Sequence, residues 1–306
     1  MTRVSTFGNY QSALANLMFS QTQANEAQAR VSTQKIATSL VGFGRQSETL
    51  TALKSSQSRL QGFIDTASAT AERLAAQDLA FSQIADGATG AREAIAQALA
   101  AGRLDGLMSE LQVQFQGVQA GLNTRHQDHY LFAGGNVAEA PVADMTLAQL
   151  SAAPGVAAAF SNDTLKQTSR VDENTALNTT FLADEVGTEL YQIFRDLQAF
   201  HEATPLTGAP DEATITFLTG VLKRLDTAHT VVIDKAASNG VMQNRVEATI
   251  KSQKERMDTL DALLADKTDA DMAKALTDLE MSQIAIQASA QVVNQLRQTS
   301  LLNFLT

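Results

Sequence analysis

The chain has 306 residues, room for two or three domains or one long helical assembly, and 33 acidic against 23 basic side chains leave a net charge of −10. That field repels phosphate backbones, which argues against nucleic acid as a partner, and the absence of Cys excludes disulfides, thiolate catalysis and Cys-ligated zinc. Hydrophobic residues make up 44% of the chain but aromatics only 5%, with no Trp, so the apolar material is mostly Ala, Leu, Val and Ile, which suits helix packing better than a bulky sandwich core.

At the N-terminus, Arg3 is the only early cation, and the apolar run Ala13 to Phe19 is broken by Asn16. No signal-peptide core or membrane span is read there, so export, if it occurs, is expected to take another route. Between Arg3 and Glu26 no residue is charged, although the stretch is rich in Ala, Gln, Asn, Ser and Leu.

From 46 to 85 a stripe runs Leu50, Leu53, Gln57, Leu60, Ile64, Ala67, Ala71, Leu74, Phe81, Ala85, with spacings of three and four and one skipped position near Asp78. This predicts a coiled-coil seam. A second seam, Leu104, Leu107, Leu111, Phe115, Val118, Leu122, follows, with Asp86-Gly87 and Gly90 as expected interruptions between the two. His126, Asp128 and His129 come next, near an expected helix end. Two imidazoles without a third protein ligand do not make a metal site, and a helix C-terminus already favours His.

All four prolines, Pro141, Pro154, Pro205 and Pro210, lie in the middle of the chain, so both flanks are free to form long helices. The stretch 133–185 reads as a small insert: Gly134-Gly135, Pro141 and Pro154-Gly155 punctuate it, and a β-hairpin is expected to turn near Asp172. Residues 133–190 hold eight acids and only two bases, Lys166 and Arg170, which suggests a solvent-facing knob. After a short apolar set, Val186, Leu190, Phe194 and Leu197, two further seams follow, Ile215, Leu218, Leu222, Leu225, His229, Val232 and Val246, Ile250, Gln253, Met257, Leu260, Leu264. Four seams are enough for a bundle. His229 reads as a core residue with a hydrogen-bond partner. Asp258, Asp261, Asp266, Asp269 and Asp271 lack the glycine and glutamate spacing of a calcium loop, so a solvated face is expected, with Thr268 or Asp269 capping a helix that resumes near Met272.

After Glu280 the only charged residue is Arg297. At 100° per residue, Leu276, Leu279, Ile286, Val293 and Phe304 fall on one side of the C-terminal helix, and Met281, Ile284, Val292, Leu296 and Leu302 on the other. A helix apolar all round must be surrounded. The N-terminal stretch, with Val4, Phe7, Leu14, Leu17, Met18 and Val31, can cover one side, and other molecules are expected to cover the rest. The competing reading is a helical binding or enzymatic domain whose termini merely close an intramolecular bundle.

Five segments, in order, resemble the bacterial flagellin and hook-associated protein family. Leu14 to Ile36, with Val31-Ser32-Thr33-Gln34-Lys35, resembles the N-terminal helix and its Leu-Ser-Thr-Gly-Lys signature, with Gln34 in place of Gly. Ala91-Arg92-Glu93-Ala94-Ile95-Ala96-Gln97 resembles the Arg-Glu-Leu-Ala-x-Gln helix, and Tyr130-Leu131-Phe132-Ala133-Gly134 the signature closing the first bundle half. Gly240-Val241-Met242-Gln243-Asn244-Arg245 is similar to the Gly-Ala-x-x-Asn-Arg segment opening the C-terminal helix, and Ser300-Leu301-Leu302-Asn303-Phe304-Leu305 to the family's last residues. The Tyr-Leu-Phe-Ala-Gly and terminal segments look more like the hook-filament junction members (the hook-associated protein 3 group) than like flagellin. Where many relatives carry an Asp-Asp-Pro turn, this chain has Leu40-Val41-Gly42-Phe43-Gly44-Arg45, with two glycines for a bend.

The resemblance implies a mainly α fold: an elongated helical bundle or coiled coil formed by both chain ends, with a small mixed or β-rich central insert. It implies a terminal coiled-coil assembly domain (1–40 with 268–306), a helical bundle domain (41–132 with 186–267) and an outer insert (133–185). The implied function is structural and non-enzymatic, joining hook to filament, with a short flagellin forming the filament itself as the alternative. No catalytic, cofactor or metal residues are expected. The expected assembly interface is Leu14, Leu17, Met18, Val31, Ile284, Val292, Val293, Leu296, Leu301 and Phe304. Expected partners are copies of the chain, the hook-side junction protein, flagellin and an export chaperone, without nucleic acid or membrane insertion. The expected location is the extracellular flagellum, reached by type III export of an unfolded chain.

Overall fold

In the computed structural model, residues 2–302 are described, with side chains from 8 to 298. Seven α-helices account for most of these residues: α1 (Thr2–Thr33), α2 (Ser47–Ala101), α3 (Leu107–Leu122), α4 (Leu147–Ala152), α5 (Ala183–Ala203), α6 (Glu212–Thr268) and α7 (Met272–Leu302). The strands are β1 (Arg125–His126) with β2 (His129–Tyr130), and β3 (Thr168–Asp172) with β4 (Thr175–Asn178), each pair antiparallel. The fold is therefore mainly α, with paired terminal helices and a small β-containing middle, as the sequence predicts. The chain divides into two compact units, Met1–Arg59 with Arg256–Thr306, and Leu60–Glu255.

The predicted stripe of α2 is its protected one: Leu50, Ile64, Ala67, Leu74, Phe81 and Ala85 are all buried. At the skipped position, Gln77 turns inward instead of Asp78, and its Nε2 donates to the carbonyl of Thr179 at 3.0 Å. The expected interruptions at Gly87 and Gly90 do not occur, and α2 runs through both. These glycines serve helix contact rather than bending. A Cβ on Gly87 would stand 2.7 Å from Val118 Cγ2, and one on Gly90 2.4 Å from Gln114 Oε1. Gly121 of α3 reciprocates, since its Cβ would meet Ile84 Cγ1 at 2.6 Å. The chain breaks later, where Gly102 and Gly106 take φ of 63° and 83°, a region open to glycine at little cost.

The 60–255 unit is built on aromatic side chains. Phe115 meets Tyr191 edge-on at 5.0 Å and Phe194 at 5.2 Å, while Phe81 makes T-shaped contacts with Phe132 and Phe181. Burial pushes the Tyr191 hydroxyl pKa upward, so it stays neutral in the core. The α3 seam from Leu104 to Leu122 is wholly buried, as are Val186, Leu190, Phe194 and Leu197 of α5. On α6 the buried stripe is Leu218, Val221, Leu225, Ala228 and Val232. His229 is half-buried beside it rather than a core residue, and Ile215 is exposed.

The middle stretch is acidic outside but contributes Val142, Leu147, Leu150, Val156, Ala159 and Phe181 to the same core. Side-chain amides fasten its hairpin β3–β4 to the long helices: Gln253 Nε2 donates to the carbonyl of Val171 at 2.6 Å. Beneath it, Asn239 and Gln243 both donate to the carbonyl of Leu74, at 2.8 and 2.9 Å. Asn239 and Gln253 are buried, so these bonds spare their amide nitrogens a desolvation cost of about 1–3 kcal/mol each, while Asn239 Oδ1 and Gln253 Oε1 are buried without a hydrogen-bond partner among the described residues. The Gly240-to-Arg245 segment lies inside α6 instead of opening a helix.

Candidate assembly surface

Helices α1 and α7 pack along each other and run antiparallel, because the end of α1 meets the start of α7. Ile36 N donates to the carbonyl of Thr268 at 2.8 Å, Ala270 N to that of Gln34 at 2.9 Å, and Lys35 pairs with Asp269. Arg30 adds an ion pair to Asp278 at 3.5 Å and one to Glu26 at 3.6 Å. Asp271 caps α7, its Oδ1 accepting from Lys274 N at 3.1 Å, in place of the expected Thr268 or Asp269. Gln34 sits at φ 57°, in the left-handed region where the resembling signature has Gly.

Small side chains line the buried seam of this pair. Ala13, Ala27, Ala275 and Ser282 are buried, while Leu17, Val31, Leu279, Ile286, Val293 and Leu296 are half-buried. Larger apolar groups point outward: Met18 is 61% exposed, Phe19 63%, Met281 63% and Ile284 64%, and Leu14, Leu276 and Val292 are exposed as well. The two-sided reading of the C-terminal helix holds for Leu279, Ile286 and Val293 against Met281, Ile284 and Val292. Leu276 and Leu296 exchange sides.

Of the ten residues expected to form an interface, Leu14, Met18, Ile284 and Val292 are therefore outward, and Leu17, Val31, Val293 and Leu296 partly covered within the pair. Leu301 lies in the last turn of α7, and Phe304 lies outside the described residues, as do the side chains of Val4 and Phe7. The expected interface set left out Phe19 and Met281, although the periodicity places Met281 on one side with Ile284 and Val292. Their exposure depends on where the partner helix lies, which periodicity alone does not give. The described part of this face between Met18 and Ser20, and between Met281 and Val292, carries no charge. Large apolar patches of that kind mark interaction sites on soluble proteins.

The loop 34–46 borders the same unit. Leu40–Gln46 forms a 3-10 turn in which Gly44 takes φ 52° and ψ −121°, and a Cβ on Gly42 would come within 2.4 Å of Ala37 Cβ. Both glycines of the departed loop are thus required, one for conformation and one for space. Val41 is 90% exposed at its tip.

Tyr130-Leu131-Phe132-Ala133-Gly134 closes the core of the 60–255 unit. Leu131, Phe132 and Ala133 are buried, and the carbonyl of Ala133 accepts from Asp163 N at 3.0 Å. Gly134 has φ 67°, and any Cβ there would lie 2.2 Å from the carbonyl oxygen of Asp163. His126 and His129 lie across the β1–β2 hairpin rather than at a helix end. Among the described residues no group of three His, Cys, Asp or Glu is placed to hold a metal ion, and no helix is long and apolar enough to cross a membrane.

Residues 222–305, which include most of α6 and all of α7, match the family described as bacterial flagellin C-terminal helical region. No curated protein matches the sequence significantly. Among solved structures, the chain is similar to a Vibrio parahaemolyticus protein described as flagellar hook-associated, at 14% identity and a TM-score of 0.60, covering 73% of this chain and 97% of the other. Bacillus cereus FlgL aligns at 14% identity and TM-score 0.56, covering 70% and 98%, and Xanthomonas campestris FlgL at 12% and 0.55, covering 70% and 99%. At these identities the likeness establishes the shared fold.

Proposed function

We propose that this protein is a non-enzymatic structural subunit of the bacterial flagellum, of the hook-associated type that joins hook to filament. The observation that carries the proposal is the α1–α7 pair, which buries small residues inside and presents Met18, Phe19, Met281, Ile284 and Val292 outward. Burying each such side chain in a neighbouring subunit stabilises assembly by about 1.5–3 kcal/mol. Residues 1–40 with 268–306 form the assembly domain in this reading, and the interface comprises Leu14, Leu17, Met18, Val31, Ile284, Val292, Val293, Leu296, Leu301 and Phe304. The partners are copies of the chain and the neighbouring axial proteins, the hook-side junction protein and flagellin. An export chaperone guards the apolar C-terminus, and the chain acts outside the cell. The family match over 222–305 and the fold shared with FlgL proteins support this reading.

Antibody-gold electron microscopy of intact flagella tests it. A single band at the hook-filament joint is expected. Label along the whole filament would make the protein a flagellin, and label on neither would return the termini to an intramolecular role.

A further inference from the structure

A concave site lies in the 60–255 unit. Its volume is about 540 Å3, large enough for a molecule of monosaccharide size. Arg73 from α2, Gln167 and Ser169 from the β3 strand and its approach, and His126 and His129 from the β1–β2 hairpin line it. In a protein of net charge −10, none of the described lining residues is acidic, and two of the four histidines are present.

The polar groups here are only partly used. Arg73 Nη1 donates to Gln167 Oε1 at 2.8 Å, yet the guanidinium has no carboxylate partner among the described residues. His126 Nε2 is buried with no hydrogen-bond partner among them. The nearest acid on the hairpin, Asp128, is 98% exposed and is placed 3.8 Å from Arg125. Gln127 and Asp128 both take positive φ, 50° and 64°, so the two-residue turn that brings His126 opposite His129 is held at a conformational cost. A half-buried cation with spare donors and a histidine with an unsatisfied ring nitrogen, lining one pocket, are complementary to an anion that accepts hydrogen bonds.

We propose that this pocket binds a small organic anion through its carboxylate or phosphate group, held by Arg73 and His126 with His129 at the rim. The test is calorimetric titration of the full chain with inorganic phosphate, glucuronate and, as a neutral control of similar size, glucose. Either anion binding at one site while glucose does not is the expected result, and which anion binds separates a phosphoryl from a carboxylate ligand. Nitrogen-15 imidazole resonances of His126 and His129 should shift on titration while those of His201 and His229 stay put. Arg73→Gln should weaken binding by about tenfold or more. Gln167→Glu supplies an internal carboxylate to Arg73 and should also abolish binding while leaving thermal unfolding unchanged. Absence of heat and of histidine shifts with both anions at about 10 mM, where a millimolar site is mostly filled, would overturn the proposal, as would binding by both variants as tight as that of the unsubstituted chain.

Discussion

In the 60–255 unit the fully buried side chains are large, Phe81, Phe115, Phe132, Tyr191 and Phe194, whereas in the paired α1 and α7 they are Ala13, Ala27, Ala275 and Ser282, with Met18, Phe19, Met281 and Ile284 outside. The first arrangement encloses its own large apolar groups. Its buried aromatic groups meet one another edge-on or tilted, its glycines admit helices at close range, and its buried amide nitrogens donate to backbone carbonyls. The second arrangement leaves large apolar groups uncovered: the seam between the two helices fully encloses only small side chains, half-covers Leu17, Leu279, Ile286 and Val293, and leaves Met18, Phe19, Met281 and Ile284 facing away. Stability in one unit thus comes from burial within the chain, while in the proposed assembly the other would gain its largest burial from neighbours.

The comparison breaks most visibly at Phe115. Phe115→Ala should destabilise the 60–255 unit by about 3–5 kcal/mol, measured by urea unfolding, and a loss below about 1 kcal/mol would mean that the aromatic cluster does not hold the unit together. At the outward face the effect should appear in assembly instead. Met18→Glu with Ile284→Glu should reduce self-assembly, followed by sedimentation, by about a hundredfold or more, because two carboxylates would have to be buried unpaired. The same pair should change the monomer's stability by no more than about 0.5 kcal/mol per site. An undiminished assembly would move the interface elsewhere.

A smaller gain sharpens the picture of the junction between α1 and α7. Gln34→Gly relieves a left-handed residue and should raise stability by about 0.5–1 kcal/mol net of chain entropy, read from the thermal midpoint.

The smallest expected effect is on acid stability. Lys35 and Thr268 hold the Asp269 carboxyl below its usual range, and Thr214 does the same for Asp211, whose Oδ1 accepts from Thr214 N at 2.8 Å. A lowered folded-state pKa means that the unfolded chain takes up the proton first. The stabilisation is therefore complete above the ordinary Asp value, about pH 4, and is lost as pH falls through the folded value below it. Asp211→Asn and Asp269→Asn should each flatten the fall in melting temperature below about pH 4 and leave its behaviour near neutrality unsloped.

How far the sequence carried can be read from particular residues. The stripes of α2, α3 and α5 were legible because burial repeats with the turn of the helix, and Leu107 to Leu122 are buried in the predicted order. Gly87 and Gly90 misled because glycine breaks helices locally but also admits a neighbour, and only the position of Val118 and Gln114 distinguishes the two. The pocket lined by Arg73 and the two histidines was illegible for the same reason. Arg73, His126 and Gln167 stand far apart in the chain, and His126 and His129 suggested a helix end until the hairpin paired them.

By itself the sequence determined the helical class, the pairing of nearly uncharged termini and the surplus of apolar surface on the last helix, since all three follow from periodicity and charge, which are local properties. Only the tertiary structure decided which apolar residues are spent inside the α1–α7 seam and which remain outward, which glycines are contacts and which are turns, and that the acidic middle builds into the core of the 60–255 unit. Those outcomes depend on which distant segment lies opposite, and no local spacing encodes that.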